Sequence, residues 1–316
     1  MLKKISPYNL IMLSFIGLIV VGALLLMMPF AHTPQKDISF LEALFTATSA
    51  VTVTGLSVID IGATFTIYGK LILLVLIQFG GLGVLTISSV LVLLIAKRIG
   101  FYTKKIVAEG LNHNKSYDIY AVTKRVVYIT LLFEATGALC LFVSFIQDFP
   151  FGKALFFSVF HSVSAFCNAG VSLFPHSFEG YTYNAFVNII IAFLVIFGGL
   201  GFTTIIQAYE YLRKKRRRLD INSQFSILMT IILLVTGTLL FFTLEYKNYY
   251  TLYGKTFFGQ MLISFFHSVS LRTAGFDTIP LEHLSSATIL FCVTFMFIGA
   301  SPNSTGSGVK TTTIGI

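Results

Sequence analysis

The chain has 316 residues, of which 55% are hydrophobic and only 11% charged, against roughly 25% charged in an ordinary soluble domain; its mean hydropathy is +0.85. A water-soluble fold cannot hide this much apolar surface, so the chain reads as one integral membrane unit and not as the two soluble domains its length alone suggests. The net charge of +9 would admit nucleic acid as a partner, but 15 of the 22 Lys and Arg lie on alternate connections between apolar runs, which is the positive-inside pattern and argues for no nucleic acid.

In chain order, Lys3 and Lys4 precede a first apolar run at residues 10–30. That run is too long for a signal-peptide core and lacks an Ala-x-Ala-like site, so it counts as a span. Further complete spans are expected at 67–96, 122–146, 183–211 and 225–242, and a sixth begins near Ser285. Each has the length a bilayer requires. Lys97, Arg98, Lys104, Lys105, Lys115, Lys124 and Arg125 fall between the second and third spans, and Arg213, Lys214, Lys215, Arg216, Arg217 and Arg218 between the fourth and fifth. The N-terminus is therefore expected in the cytoplasm of a multi-pass protein of the cell membrane. The second basic stretch has anionic lipid headgroups as its plainest partners, with a cytoplasmic regulatory ring as the other option. Cys140, Cys167 and Cys292 form no CxxC pair and read as packing residues.

Between the first and second, third and fourth, and fifth and sixth spans lies a segment of another kind, apolar but interrupted by Ser, Thr, His and Asn. The three copies align on Gly55, Gly170 and Gly275, which are 115 and 105 residues apart, and HSVSAFCNAG (161–170) differs from HSVSLRTAG (267–275) in length by one residue. A landmark of small residues follows each: FGGLG at 79–83, FGGLG at 197–201 and FIGAS at 297–301. The unit of span, half-helix with glycine turn, and span is thus written three times: 1–98, a cytoplasmic linker 99–121, 122–212, a basic linker 213–222, and 223–316.

These outer segments are too apolar for solvated loops and too short to cross and return as helices. They read as re-entrant pore loops, since non-helical backbone at membrane depth must line a water-filled path or be buried in protein. Half-helices are expected at 41–51, 154–166 and 258–271, each aiming its negative end at the path. The ion would meet main-chain carbonyls near Val53, Thr54 and Gly55, near Asn168, Ala169 and Gly170, and near Thr273, Ala274 and Gly275. Asp60 and Asp277, just outside two of the turns, would raise the local cation concentration.

His161 and His267 recur at matching places, and hydrogen bonding within the hairpin is the preferred reading over a metal role, which needs more ligands. Glu134, inside a span, is a functional candidate by default, although a neighbouring hydroxyl would explain it equally well. Arg272 is expected to turn away and brace its loop through carboxylate or carbonyl hydrogen bonds. The FGGLG landmarks read as close helix approaches. In the last segment, Gly299, Ala300, Ser301, Pro302, Asn303, Ser304, Thr305, Gly306, Ser307 and Gly308, with Lys310, interrupt the middle of the sixth span. A broken helix with a flexible loop below the filter is expected there. STGSGVK lacks the spacing and the preceding strand of a phosphate loop. Paired carboxylates, a Ser-His-Asp set and HExxH are all missing, so the chain is not read as an enzyme.

The combination TVTGL, AFCNAG, RTAGF and GASPNSTGSGVKTTT resembles the membrane subunits of the Ktr potassium uptake systems, within the Trk/Ktr/HKT superfamily, over the whole chain. The resemblance implies an all-α polytopic fold with four span–loop–span repeats around a pseudo-fourfold pore, and a filter glycine from each. It implies K+ as the transported ion when the first filter position is glycine, as Gly55 is, and a gate loop at 299–310. It further implies a homodimer on a cytoplasmic nucleotide-binding ring of the RCK type, and no covalently bound cofactor. Channel-like flow and transport with Na+ as coupling or activating ion would use the same filter. Three of the four repeats are legible here, so the expectation is a C-terminally incomplete chain, or one completed by another. A non-conducting fragment, scaffold or regulatory partner is the alternative.

Overall fold

The structure is a computed structural model that describes residues 7–34, 36–83, 119–214 and 217–314. The second half of the expected span at 67–96, most of the linker at 99–121 and the bases Lys215 and Arg216 lie outside these residues. The described residues form α-helices and two short 3-10 turns without a strand; two isolated bridges join His32 to Phe65 and Ile298 to Val309.

One pairing occurs three times. Helix α1 (Pro7–Leu26) packs on α2 (Phe40–Thr52), α5 (Ile119–Phe145) on α6 (Phe151–Phe166), and α9 (Ile221–Glu245) on α10 (Phe257–Ser270); in each pair these are the most extensive contacts either helix makes. After α2 come α3 (Ile61–Thr64) and α4 (Ile67–Leu82), after α6 come α7 (Ala185–Leu200) and α8 (Phe202–Leu212), and after α10 comes α11 (Ser286–Phe297), with a short α12 (Thr311–Ile314) beyond it. The starts follow from the sequence. Ser39 and Glu42 form a capping box at α2, and Thr66, Asn184, Thr256 and Ser285 each accept a hydrogen bond from the N–H three residues on.

Among the described residues, two helices, Thr123–Phe145 and Ile221–Glu245, are long and apolar enough to cross a bilayer, or three if α7 and α8 are one span. Their outer faces carry large exposed apolar side chains such as Leu131, Leu139, Leu228 and Val235, while the short helices α6 and α10 bury Ser158, Ser162, Ser164, Ser264 and Ser268. Apolar outside and hydroxyl-rich inside is the arrangement for lipid around a polar interior. The described helices are those of a helical membrane protein.

The expected continuous span at 183–211 is broken: α7 and α8 meet at 100°. Gly201 sits at the corner with φ 89°, and a β-carbon there would collide with the Pro302 carbonyl. The landmark glycines thus end helices as well as bringing them close. Gly80 approaches the Val51 carbonyl, Gly81 approaches Cys167, and Gly198 approaches the Phe166 carbonyl so nearly that a side chain would overlap it.

Glu245 closes the C-terminal end of α9. Fully buried, it accepts hydrogen bonds from Thr251 Oγ1 (2.6 Å), Asn248 Nδ2 (2.6 Å), Thr288 Oγ1 (2.5 Å) and the Ser285 N–H (2.9 Å), which fastens α9 to the start of α11.

Candidate functional site

Helices α2, α6 and α10 each end in the same kind of turn. Val53, Asn168 and Thr273 take left-handed φ values of 56°, 57° and 76°, and two residues on Gly55, Gly170 and Gly275 take 77°, 64° and 79°. Left-handed backbone is costly for residues with a β-carbon, above all for β-branched Val53 and Thr273, and such strain persists only where the surroundings impose it. Here the helix ends impose it. The N–H groups of Thr54, Ala169 and Ala274 donate to the carbonyls of Ser49, Ser164 and Ser270 at 3.0, 2.7 and 2.9 Å.

The three turns meet. A β-carbon on Gly55 would lie 2.9 Å from the Ala169 carbonyl oxygen, and one on Gly170 would collide with the Ala274 carbonyl. One on Gly275 would lie 3.7 Å from Gly170 Cα and 3.9 Å from Gly55 Cα. The side-chain amide of Asn168 and the hydroxyl of Thr273 add a 3.3 Å link between the second and third turns. The nine residues singled out in the sequence are therefore brought to one place, with the C-terminal, partly negative ends of three helices around them.

Side chains behind the turns fix them. His161 Nδ1 bonds the Phe157 carbonyl at 2.8 Å, which makes it the donor and leaves Nε2 to accept from the Leu173 N–H at 3.2 Å; His267 Nε2 pairs with Thr278 Oγ1 at 3.3 Å. Both histidines thus hold the residue three beyond the turn glycine, and both stack on phenylalanine, Phe174 and Phe241. Among the described residues no group of three or more His, Cys, Asp or Glu could hold a metal. Ser164 and Ser270 donate to the carbonyls of Val171 and Phe276 just past the glycines, at 2.7 and 2.6 Å. Sequence reasoning passed over these serines, although a serine precedes each glycine by five or six residues in all three copies.

Arg272 turns away from the meeting point as expected but braces against a different group. Its Nη2 donates to the Thr230 hydroxyl at 3.2 Å, and its Nε has no partner. In the described interior around it, α9 presents a threonine and not a carboxylate. Glu134 does not find a hydroxyl for its carboxylate either. Gln78 Nε2 donates to it at 3.2 Å and Cys167 Sγ approaches at 3.8 Å, while Ser162 donates to its main-chain carbonyl at 2.7 Å.

The segment 298–310 is non-helical, as its composition predicts, but it is strapped down and not loose. The Gly299 N–H donates to Val309 O (2.9 Å), Ser301 N–H to Gly199 O (3.0 Å), Thr305 N–H to Gly198 O (3.2 Å), and Phe202 N–H to Asn303 O (2.8 Å). Thr305 Oγ1 reaches the Phe166 carbonyl at 2.9 Å, Lys310 Nζ bonds Gly306 O at 2.7 Å, and a β-carbon on Gly306 would meet Thr273 Oγ1 at 2.5 Å. Buried backbone away from water must be paired, and the broken corner at Gly198–Gly201 supplies the partners. The loop touches the turns through Phe166, Thr273 and, near Gly306, Asn168.

The two acidic residues differ in setting. Asp60 caps α3 by accepting from the Ala63 N–H at 3.0 Å and lines an open cleft of about 620 Å³ beside Lys70 and Lys153, so ammonium groups offset its charge. Asp277 lies two residues past Gly275 and its N–H bonds Ser177 Oγ. Burial, then the nearby Glu179, pushes its carboxyl up to about 7.

A family profile described as TrkH, cation transport protein, matches residues 5–316. The chain belongs to the TrkH family of cation transport proteins. Among TrkH-family relatives, it is 38% identical over 308 residues to Ktr system potassium uptake protein B of Vibrio alginolyticus, covering 98% of this chain and 67% of that one. It is 36% identical to the protein of the same name from Bacillus subtilis (98% and 69%) and 35% identical to the potassium/sodium uptake protein NtpJ of Enterococcus hirae (99% and 69%). The solved structure of the potassium transporter TrkH from Vibrio parahaemolyticus shares the fold with a TM-score of 0.73 at 22% identity, over 99% of this chain and 61% of that one. The chain thus spans less than two thirds of that TrkH chain and about two thirds of the relatives' length.

Proposed function

We propose that this chain is the membrane subunit of a Ktr/Trk-type potassium uptake system, in which K+ sheds its water among the carbonyls of Val53–Gly55, Asn168–Gly170 and Thr273–Gly275. The observation that carries the reading is the convergence of three helix-end turns whose glycines leave no room for side chains. Repeats at 1–98, 122–212 and 223–316, joined by cytoplasmic linkers at 99–121 and 213–222, then supply three of the four sides of a pseudo-fourfold pore, with the N-terminus in the cytoplasm. A homodimer on a nucleotide-binding ring, with anionic lipid at the basic linkers, completes the system. One relative is named for the uptake of both potassium and sodium, so Na+ enters this reading as a companion ion, in a coupling or an activating role.

The test is rubidium uptake by a bacterium lacking its own potassium uptake, expressing this chain or the longest reading frame that contains it. Wild-type uptake with serine at positions 55, 170 and 275 together would sink the proposal.

Residues 299–310 act as the gate in this reading. Thr305→Val deletes the strap to Phe166, a net bond of about 1 kcal/mol, and we expect a severalfold faster basal uptake; an unchanged rate assigns the loop a static role. A second expectation concerns the outside medium. The Asp277 carboxylate, which attracts cations while ionised, takes up a proton as pH falls through about 7. Uptake should drop by about half across that range, and Asp277→Asn should flatten the profile at the lower level.

A further inference from the structure

Glu134 and Glu245, both buried among the described residues, are treated differently by their surroundings. Glu245 takes four hydrogen bonds of 2.5–2.9 Å. Glu134, 6% exposed at the middle of α5, receives only one amide hydrogen at 3.2 Å and a thiol at 3.8 Å. Among the described residues no Lys, Arg or His lies within salt-bridge distance of it. A carboxylate has about four acceptor sites, so Glu134 is under-supplied where water is scarce.

One turn earlier stands Thr130, 1% exposed, whose hydroxyl has no partner. The helix threonines Thr46, Thr48, Thr52, Thr136, Thr230, Thr236, Thr238 and Thr294 instead close onto the carbonyl four residues back. Thr130 and Glu134 share a face and both line one cleft of about 510 Å³ between α4 and α5. Its remaining walls are mostly aliphatic, including Leu74, Val75, Leu131 and Val159, with Ala135 at its edge and Gln78 as the other polar residue. Val75, Leu131 and Ala135 are exposed on what is here a lipid-facing surface.

We propose that this cleft binds an aliphatic primary amine from the bilayer, its ammonium donating to Glu134 and, after rotation of one side-chain bond, to Thr130. Charge complementarity chooses the head: an uncompensated carboxylate favours a cation, and three N–H donors suit two facing oxygens. The aliphatic walls choose the chain, and the volume lies within the ordinary range for small-molecule clefts. The site communicates with the turns, because the Cys167 thiol that meets Glu134 immediately precedes Asn168. Occupancy draws the carboxylate from Cys167 and should slow uptake; that consequence, unlike the binding, rests on the function proposed above.

The experiment uses the full chain in phosphatidylcholine nanodiscs, with thermal unfolding followed by circular dichroism. Decylamine should raise the midpoint and decanol at equal concentration should not. Glu134→Gln should weaken the decylamine effect about tenfold, and Ala135→Phe, which narrows the cleft and keeps Glu134 in the chain, should abolish it. Equal stabilisation by decanol and decylamine overturns the proposal, as does a decylamine effect that survives Ala135→Phe. Should Glu134→Gln fail to fold, the Ala135→Phe arm decides. In rubidium uptake, decylamine should inhibit wild type and spare Ala135→Phe. Absence of any wild-type uptake counts against the transport reading and leaves the binding result standing.

Discussion

Alanine at position 170 should abolish rubidium uptake, alanine at 55 should reduce it severely, and alanine at 275 should leave a readily measured fraction. All three glycines have left-handed φ, so each substitution carries a backbone cost of about 1–2 kcal/mol. The difference lies in what the new methyl group meets. At 170 it collides with the Ala274 carbonyl, at 55 it presses on the Ala169 carbonyl at 2.9 Å, and at 275 the nearest atom is 3.7 Å away, an ordinary contact. The obstructing atoms at 170 and 55 are main-chain carbonyls held by helix ends, so they cannot swing aside as a side chain would. Relief at 170 must move the third turn itself. Measuring initial uptake rates and surface expression for the three variants separates this order from a common loss of folding; equal defects at 170 and 275 would refute it.

Glu245→Ala should cost at least about 3 kcal/mol, since it strands donors on Asn248, Thr251, Thr288 and Ser285 in a buried setting and each stranded buried donor costs about 1–3 kcal/mol. Glu245→Gln, which keeps the volume and one acceptor oxygen, should lose roughly half as much. Thermal unfolding in detergent measures both. Glu282→Ala is the control, because that carboxylate is 79% exposed on the neighbouring 3-10 turn and its loss should leave the midpoint unchanged. A midpoint for Glu245→Ala equal to the control would mean that the α9–α11 fastening carries no stability.

The half-helices were legible nearly to the residue. The ranges 41–51, 154–166 and 258–271 became Phe40–Thr52, Phe151–Phe166 and Phe257–Ser270, because a capping residue opens two of them and a glycine turn closes all three. The bend at Gly201 was not legible, although the FGGLG string was. A small residue allows both a close approach and a break, and the choice was made by the carbonyls of Pro302 and Asn303, which lie a hundred residues away in the chain. Arg272 illustrates the same limit. Its type required a buried partner, but the identity of that partner depended on which face of α9 lay beside it, and that face carries Thr230.

Local chemistry alone, through composition, alternating basic connections and three copies of a glycine-terminated half-helix, established a membrane protein and its candidate filter residues. Those features are encoded over a few neighbouring residues, where chain stiffness and capping act directly. The meeting of Gly55, Gly170 and Gly275, the unequal space around them, and the strapping of 298–310 to α7 and α8 came from packing between segments more than a hundred residues apart. Such contacts are set by which buried groups must find partners and how closely backbones can approach, and neither quantity is written in any short stretch of chain.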